Sequence, residues 1–316
     1  MSVLIIAEAG VNHNGDPDRA LAMVDAAAAA GADAVKFQTF RTAELVAADA
    51  PLAEYQKRNT GSDGGQYAML QALELSAATH HALVERCRMR GIRFLSTPFD
   101  RPSLDFLVDT LRLDTLKIPS GEITNGPLLA AAGASGGRII LSTGMSTLDD
   151  IDMALGALAH GMLGRTGKPD FAAARRDAAA LLTARVCLLQ CTTEYPAPVA
   201  ETNLRAMQTL RERFGLEVGL SDHTPGIAVA IAAAALGAAV IEKHFTLDRT
   251  LPGPDHKASL EPDQLTALVG GIREAEAALG DAGKNPTPSE RKNMGIARKS
   301  LVARRAVRAG ETFTPD

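Results

Sequence analysis

The chain has 316 residues, of which 46% are hydrophobic and 28 are glycine, enough for one large α/β domain or one domain with a small appendage. The net charge is −4 with both signs interspersed, there is no Trp and there are three Tyr. A nucleic-acid-binding face has neither its basic stripe nor its stacking platform here.

The first apolar run, residues 3–7, follows no basic leader and is too short for a signal peptide. It is read as a strand. A helix is predicted at 17–30 and a strand at 34–37. Residues 41–71, with Gly61-Ser62-Asp63-Gly64-Gly65, form a long polar connection that could cover a binding mouth. Helix 77–90 and strand 93–95 follow, then helix 102–111, strand 115–118, helix 126–134, strand 138–141 and helix 148–161. Residues 164–184 are a charged, Ala-rich insertion, expected to be one surface helix. Strand 186–189, helix 201–214, strand 218–220, helix 226–236, strand 239–241 and helix 262–279 complete the series. Eight short strands alternating with helices predict a closed (β/α)8 TIM barrel.

The barrel is assigned to 1–282, a linker to 283–297 and a basic, β-like closing segment to 298–316. No run approaches the roughly 18 apolar residues of a membrane span. Cys87, Cys187 and Cys191 lack metal-motif spacing. A cytoplasmic protein with reduced thiols is expected.

Almost every predicted strand ends in polar residues, and in a TIM barrel those ends meet at one mouth. His223 and His244 stand just past strands seven and eight, which are neighbours in a barrel. Two imidazoles so placed can bind one divalent ion and leave positions open. His13 and His256 compete for the same role, while His80, His81 and His160 fall in helices and are expected to be solvated. Lys36 and Lys117 lie where a strand should face inward, so each needs an anion. With Ser96, Thr97, Ser120, Ser142 and Ser221 they suit a phosphate and a carboxylate. Structural ion pairs with Glu8 or Glu122, or a Schiff-base lysine, are the alternatives. Glu8, rigid at the end of the first strand, is the general acid/base candidate. Cys191 is read as core packing.

Ile6-Ala7-Glu8-Ala9-Gly10-Val11-Asn12-His13-Asn14-Gly15, Lys36-Phe37-Gln38, Ser96-Thr97-Pro98-Phe99 and Lys117-Ile118-Pro119-Ser120-Gly121-Glu122 occur in this order. So do Leu141-Ser142-Thr143-Gly144-Met145-Ser146, Ser221-Asp222-His223-Thr224, Glu242-Lys243-His244-Phe245-Thr246 and Gly253-Pro254-Asp255-His256. Together they resemble the N-acetylneuraminate (sialic acid) synthase family, which includes the legionaminate and pseudaminate synthases. The resemblance implies a transferase joining phosphoenolpyruvate to an N-acetylated mannose-type sugar. Lys36, Thr97, Lys117, Ser120, Ser142, Thr193 and Ser221 would hold phosphoenolpyruvate, Thr193 standing where some members have Asn. Gln38, Glu122, Tyr195 and Asp255 would contact the sugar, and Glu8, with Lys36 and Lys117, would be catalytic. His223 and His244 would bind a divalent metal, Mn2+ first and Mg2+ or Co2+ after it.

Arg298-Lys299-Ser300-Leu301-Val302-Ala303 through Ala309-Gly310-Glu311 resembles the first strands of that family's C-terminal antifreeze-like (SAF) domain. The resemblance also implies a homodimer. N-acetylmannosamine is the sugar favoured, with 2,4-diacetamido-2,4,6-trideoxymannose, leading to N,N'-diacetyllegionaminate, as the alternative. A Schiff-base aldolase and a non-catalytic sugar- or phosphoenolpyruvate-binding barrel are the readings from other classes.

Overall fold

A parallel strand flanked by helices and by its neighbours' side chains has no wet face, so it must be apolar on both sides. In the computed structural model, which describes residues 2–51, 57 and 65–314, the first strand obeys this rule, with Ile5, Ile6 and Ala7 fully buried. The strands are β1 (Leu4–Gly10), β2 (Ala34–Thr39), β3 (Arg93–Pro98), β4 (Thr115–Ile118), β5 (Arg138–Ser142), β6 (Val186–Cys191), β7 (Glu217–Asp222) and β8 (Val240–His244). They run in parallel in the order β3-β2-β1-β8-β7-β6-β5-β4. β1 pairs with both β2 and β8, which curls the sheet round. β3 and β4 lie side by side without a hydrogen-bonded ladder. The fold is the expected (β/α)8 barrel, closed by ladders at seven of its eight seams.

Several strands run further than the apolar pattern suggested. β1 includes Glu8, β3 Thr97, β6 Cys191, β7 Ser221 and β8 Glu242 and His244. Side chains alternate across a strand, and this stride explains the polar ends. Ile6, Ala34, Leu95, Ile140, Leu189 and Val240 form an apolar layer. Two residues on, each of these strands places an inward residue at the mouth: Glu8, Lys36, Thr97, Ser142, Cys191 and Glu242.

The helices are α1 (Pro17–Ala29), α2 (Thr42–Leu45), α3 (Gln66–Leu73), α4 (Ala77–Arg90), α5 (Arg101–Asp105), α6 (Gly126–Ala134), α7 (Leu148–Met162), α8 (Phe171–Asp177), α9 (Ala179–Arg185), α10 (Ala206–Phe214), α11 (Ala228–Ala235), α12 (Pro262–Leu279) and α13 (Pro288–Ala297). Polar caps start several of them. Asp16 accepts from the amides of Asp18 and Arg19 at the head of α1, and Thr147 and Asp150 form a capping box on α7. No helix among the described residues is long and apolar enough to cross a membrane. Gly61-Ser62-Asp63-Gly64, the centre of the predicted cover, lies outside the described residues.

Three local readings differ. The 164–184 insertion is two helices, α8 and α9, meeting at buried Ala178. His80 is 1% exposed, because its face of α4 turns to the barrel, where Nε2 meets Thr39 Oγ1 at 2.8 Å. His81 is exposed and His160 half-buried. Finally, α13 lies within the stretch read as linker, where Thr287 and Glu290 form its capping box. The chain divides into compact units at Met1–Ala278 and Leu279–Asp316. Residues 300–314 contain no strand, since their apolar side chains Leu301, Val302 and Phe313 stay exposed without a sheet to cover them.

Helices α6 and α7 touch backbone to backbone. A Cβ on Gly133 would sit 2.1 Å from Leu158 O, and one on Gly161 would sit 1.8 Å from Ala130 O. G161A should therefore push the pair apart and lower stability by about 1–3 kcal/mol, read as a drop in Tm.

Candidate active site at the barrel mouth

The mouth layer carries two ammonium groups and two carboxylates, all at least 95% buried. Glu8 Oε2 is 2.7 Å from Lys36 Nζ, and Lys36 also donates to Thr97 Oγ1 at 2.9 Å. Glu242 stands between the lysines, 3.7 Å from Lys36 and 3.3 Å from Lys117. Ser221 Oγ donates to it at 2.8 Å. Strand register makes this possible: Glu8 is the lateral partner of Lys36, and Ser221 of Glu242.

The two carboxylates are driven apart electrostatically. Burial, seconded by the negative charge of Glu242, pushes the Glu8 carboxyl up to about 7 against the pull of Lys36. Burial opposes ionisation of Glu242 too, but there Lys117, Lys36 and the Ser221 hydroxyl prevail and hold it at about 2. One carboxyl is thus held ionised and the other keeps its proton to higher pH, beside two buried lysines that can receive an anion. A pair split in this way fits one permanent counter-ion and one proton carrier.

His223 and His244 meet across β7 and β8 with ring centroids 5.3 Å apart. His223 Nδ1 donates to Thr192 O at 2.7 Å, which points the other ring nitrogen inward. His244 Nδ1 is buried with no partner, and burial beside His223 keeps its ring neutral. Two imidazoles lining one cavity, one of them with a buried unpartnered nitrogen, fit a divalent ion whose other positions are left to ligands. Among the described residues no cluster of three or more His, Cys, Asp or Glu forms an all-protein metal cage. Tyr195 packs 4.2 Å from His223, ring centre to ring centre.

These groups floor a cavity of about 450 Å³, a size suited to small ligands. Ser142 Oγ and Thr193 Oγ1 are buried there without partners, while Ser120 Oγ is engaged by the Gly144 amide at 2.9 Å. Of the residues expected to touch a sugar, Gln38, Tyr195 and Asp255 line the cavity, and burial raises the Asp255 carboxyl to about 6. Glu122 is the exception: it points away and accepts from Asn125 Nδ2 at 2.7 Å. His13 and His256 do not line it either, His256 being tied to Thr246 Oγ1 at 2.8 Å.

Two cavity residues were given no role in the site from sequence. Cys191 faces the cavity with Sγ 3.9 Å from His223 Nδ1, because β6 runs on through it. Glu242 is the hub of the floor; its place two residues before His244, on the same face of a strand, was the available signal. An apolar wall of Phe40, Leu45, Met69, Leu70 and Phe99 closes one side, supplied by the chain between β2 and α4 and the end of β3.

Removing the Glu242 charge should leave Lys117 without its carboxylate and Lys36 with Glu8 alone. E242Q is expected to lose about 3–5 kcal/mol of stability. Inorganic phosphate, replacing the missing anion, should raise its Tm more than that of the wild type; an equal rise in both would contradict the hub role.

The NeuB family matches residues 23–284. The N,N'-diacetyllegionaminic acid synthase of Campylobacter jejuni subsp. jejuni serotype O:2 is 48% identical over 311 residues, 98% of this chain and 87% of that protein. The N,N'-diacetyllegionaminic acid synthase of Legionella pneumophila subsp. pneumophila is 46% identical over 316 residues, 100% of this chain and 84% of that one. Among solved structures, the N-acetylneuraminic acid (sialic acid) synthetase of Leptospira borgpetersenii serovar Hardjo-bovis, in complex with citrate, superposes with a TM-score of 0.75 at 34% identity, covering 93% of this chain and 91% of that one. With the barrel, the lysine-lined floor and the paired histidines in the order its motifs predict, this chain belongs to the NeuB family.

Proposed function

We propose that the protein joins phosphoenolpyruvate to 2,4-diacetamido-2,4,6-trideoxymannose and water, giving N,N'-diacetyllegionaminate and phosphate. The observation that carries the chemistry is the floor, with two buried lysines and unpartnered hydroxyls beside two histidines and a carboxyl raised to about 7. For the sugar, the support is identity: 48% and 46% to two legionaminic acid synthases, against 34% to a sialic acid synthetase. N-acetylmannosamine, the sugar favoured by the motifs alone, becomes the second reading. The apolar wall of Phe40, Leu45, Met69 and Leu70 also suits a C6 methyl and a second acetamido methyl better than hydroxyls.

In this reading Lys36 and Lys117 bind the phosphate and carboxylate of phosphoenolpyruvate, with Thr97, Ser142, Thr193 and Ser221 completing the hydrogen bonds. A divalent ion on His223 and His244, Mn2+ by preference, would supply Lewis-acid polarisation of a carbonyl oxygen. C3 of phosphoenolpyruvate forms the new bond to the open-chain aldehyde carbon as the aldehyde oxygen takes the C=O electron pair and a proton from Glu8, and C2 becomes cationic. Water adds at C2 and yields a proton to Glu8. The C2–O bond to phosphate then breaks as the new C2 hydroxyl gives its proton to the departing phosphate and becomes the keto oxygen, and the lysines hold that anion. Gln38, Tyr195 and Asp255 orient the sugar. A cytoplasmic homodimer is part of the same proposal.

Phosphate release from phosphoenolpyruvate tests this directly. It should require the diacetamido sugar, stop with EDTA and return with Mn2+, and be slower with N-acetylmannosamine by about 10–100-fold in kcat/KM. Release that ignores sugar and chelator would contradict the reaction; preference for N-acetylmannosamine would contradict only the sugar. E8Q should lose about 10²–10⁴-fold in kcat with phosphoenolpyruvate KM little changed, and full turnover would remove Glu8 from its role.

A further inference from the structure

Behind the two histidines lies a charged pair that this chemistry does not use. Asp222 and Lys243 are lateral partners in the β7–β8 ladder, each 1% exposed, and neither lines the cavity. The alternation that turns Glu242 and His244 inward turns Lys243 outward. Its Nζ donates to Asp222 Oδ2 at 2.8 Å and to Thr224 O at 2.5 Å. Asp222 Oδ1 in turn accepts from the Thr224 amide at 2.9 Å and from its hydroxyl at 2.8 Å.

The connectivity is specific. Asp222 immediately precedes His223, Thr224 immediately follows it, and Lys243 immediately precedes His244. The residues on both sides of one histidine are therefore fastened to the residue before the other. A buried ion pair is a poor source of net stability compared with an apolar pair of equal volume, although breaking one partner is costly. What this one does supply is a fixed backbone spacing at the place where β7 ends and its loop begins.

We propose that the Asp222–Lys243 pair, closed by Thr224, is a strut that sets the separation of His223 and His244 for one divalent ion. Asp222, Thr224 and Lys243 are then positioning residues, outside the site, acting through the two histidines. The inference rests on the metal reading of those histidines.

The test uses the full chain, stripped with EDTA and titrated with Mn2+, bound ion being read from the loss of the free-ion EPR signal. D222N/K243M replaces the ion pair without leaving an unpaired buried charge. It should remain folded and bind Mn2+ about tenfold more weakly, while its affinity for inorganic phosphate, which depends on the lysine floor, stays unchanged. G161A serves as the control: it lowers Tm far from the histidines and should leave Mn2+ affinity as in the wild type. If the double variant fails to fold, T224V carries the same test by removing one of the four hydrogen bonds, with an expected loss of about threefold. Wild-type Mn2+ affinity in a folded D222N/K243M or in T224V would overturn the strut. A wild type that binds no Mn2+ would overturn the metal reading, and the strut with it.

Discussion

Two ammonium groups buried at the end of a barrel must be neutralised locally, and the rest of this site follows from how that is done. Lys36 and Lys117 are each 3% exposed, and Glu242 lies within 4 Å of both. Because one carboxylate is committed to the lysines, the second, Glu8, need not stay ionised, and burial raises it to about 7. The same crowding that makes Glu242 a permanent anion makes Glu8 a group able to exchange a proton near neutrality. An anion arriving at this floor meets donors already held in place, so little reorganisation is needed to bind it.

The barrel achieves this with a simple stride. An inward apolar layer seals the interior, and the next inward residue on each strand is polar, so the charged layer rests on a dry floor. Outward residues between them pack against the helices, as Ile5, Val35 and Ile241 do. Lys243 and Asp222 are the exception, a charged pair in that outward layer. Their position directly behind the histidines gives an otherwise costly arrangement a local purpose.

The apolar wall has a different origin. Phe40, Leu45, Met69 and Leu70 come from the connection after β2 and pack with Val11 and Leu73 in a small cluster separate from the main core. The strand ends thus provide charge and hydrogen bonds, while this connection provides apolar surface. Loops on a rigid scaffold are where specificity varies most readily, and here they supply the apolar part of the cavity and the strand ends its polar part.

Much of this was legible in the residues themselves. Alternation of short apolar runs with amphipathic stretches determined the eight strands and their order, because burial on both faces leaves a strong local signature. The polar strand ends predicted that charged and polar side chains gather at one mouth, and His223, His244, Lys36, Lys117 and Glu8, named from position alone, do line one cavity. Tertiary structure decided everything that depends on direction. Glu122 follows a strand as Glu8 ends one, yet a short 3-10 turn carries it away from the cavity to Asn125. His80 occupies a polar helix but faces the barrel, and Cys191 joins the site because β6 continues one turn of the pleat further. Above all, Glu242 becomes the hub only when β8 closes against β7 and β1, bringing residues 36, 117 and 242 within a few ångströms. Local sequence sets the period of a segment; which charges then face one another is set by closure of the barrel, a long-range event that no window of sequence contains.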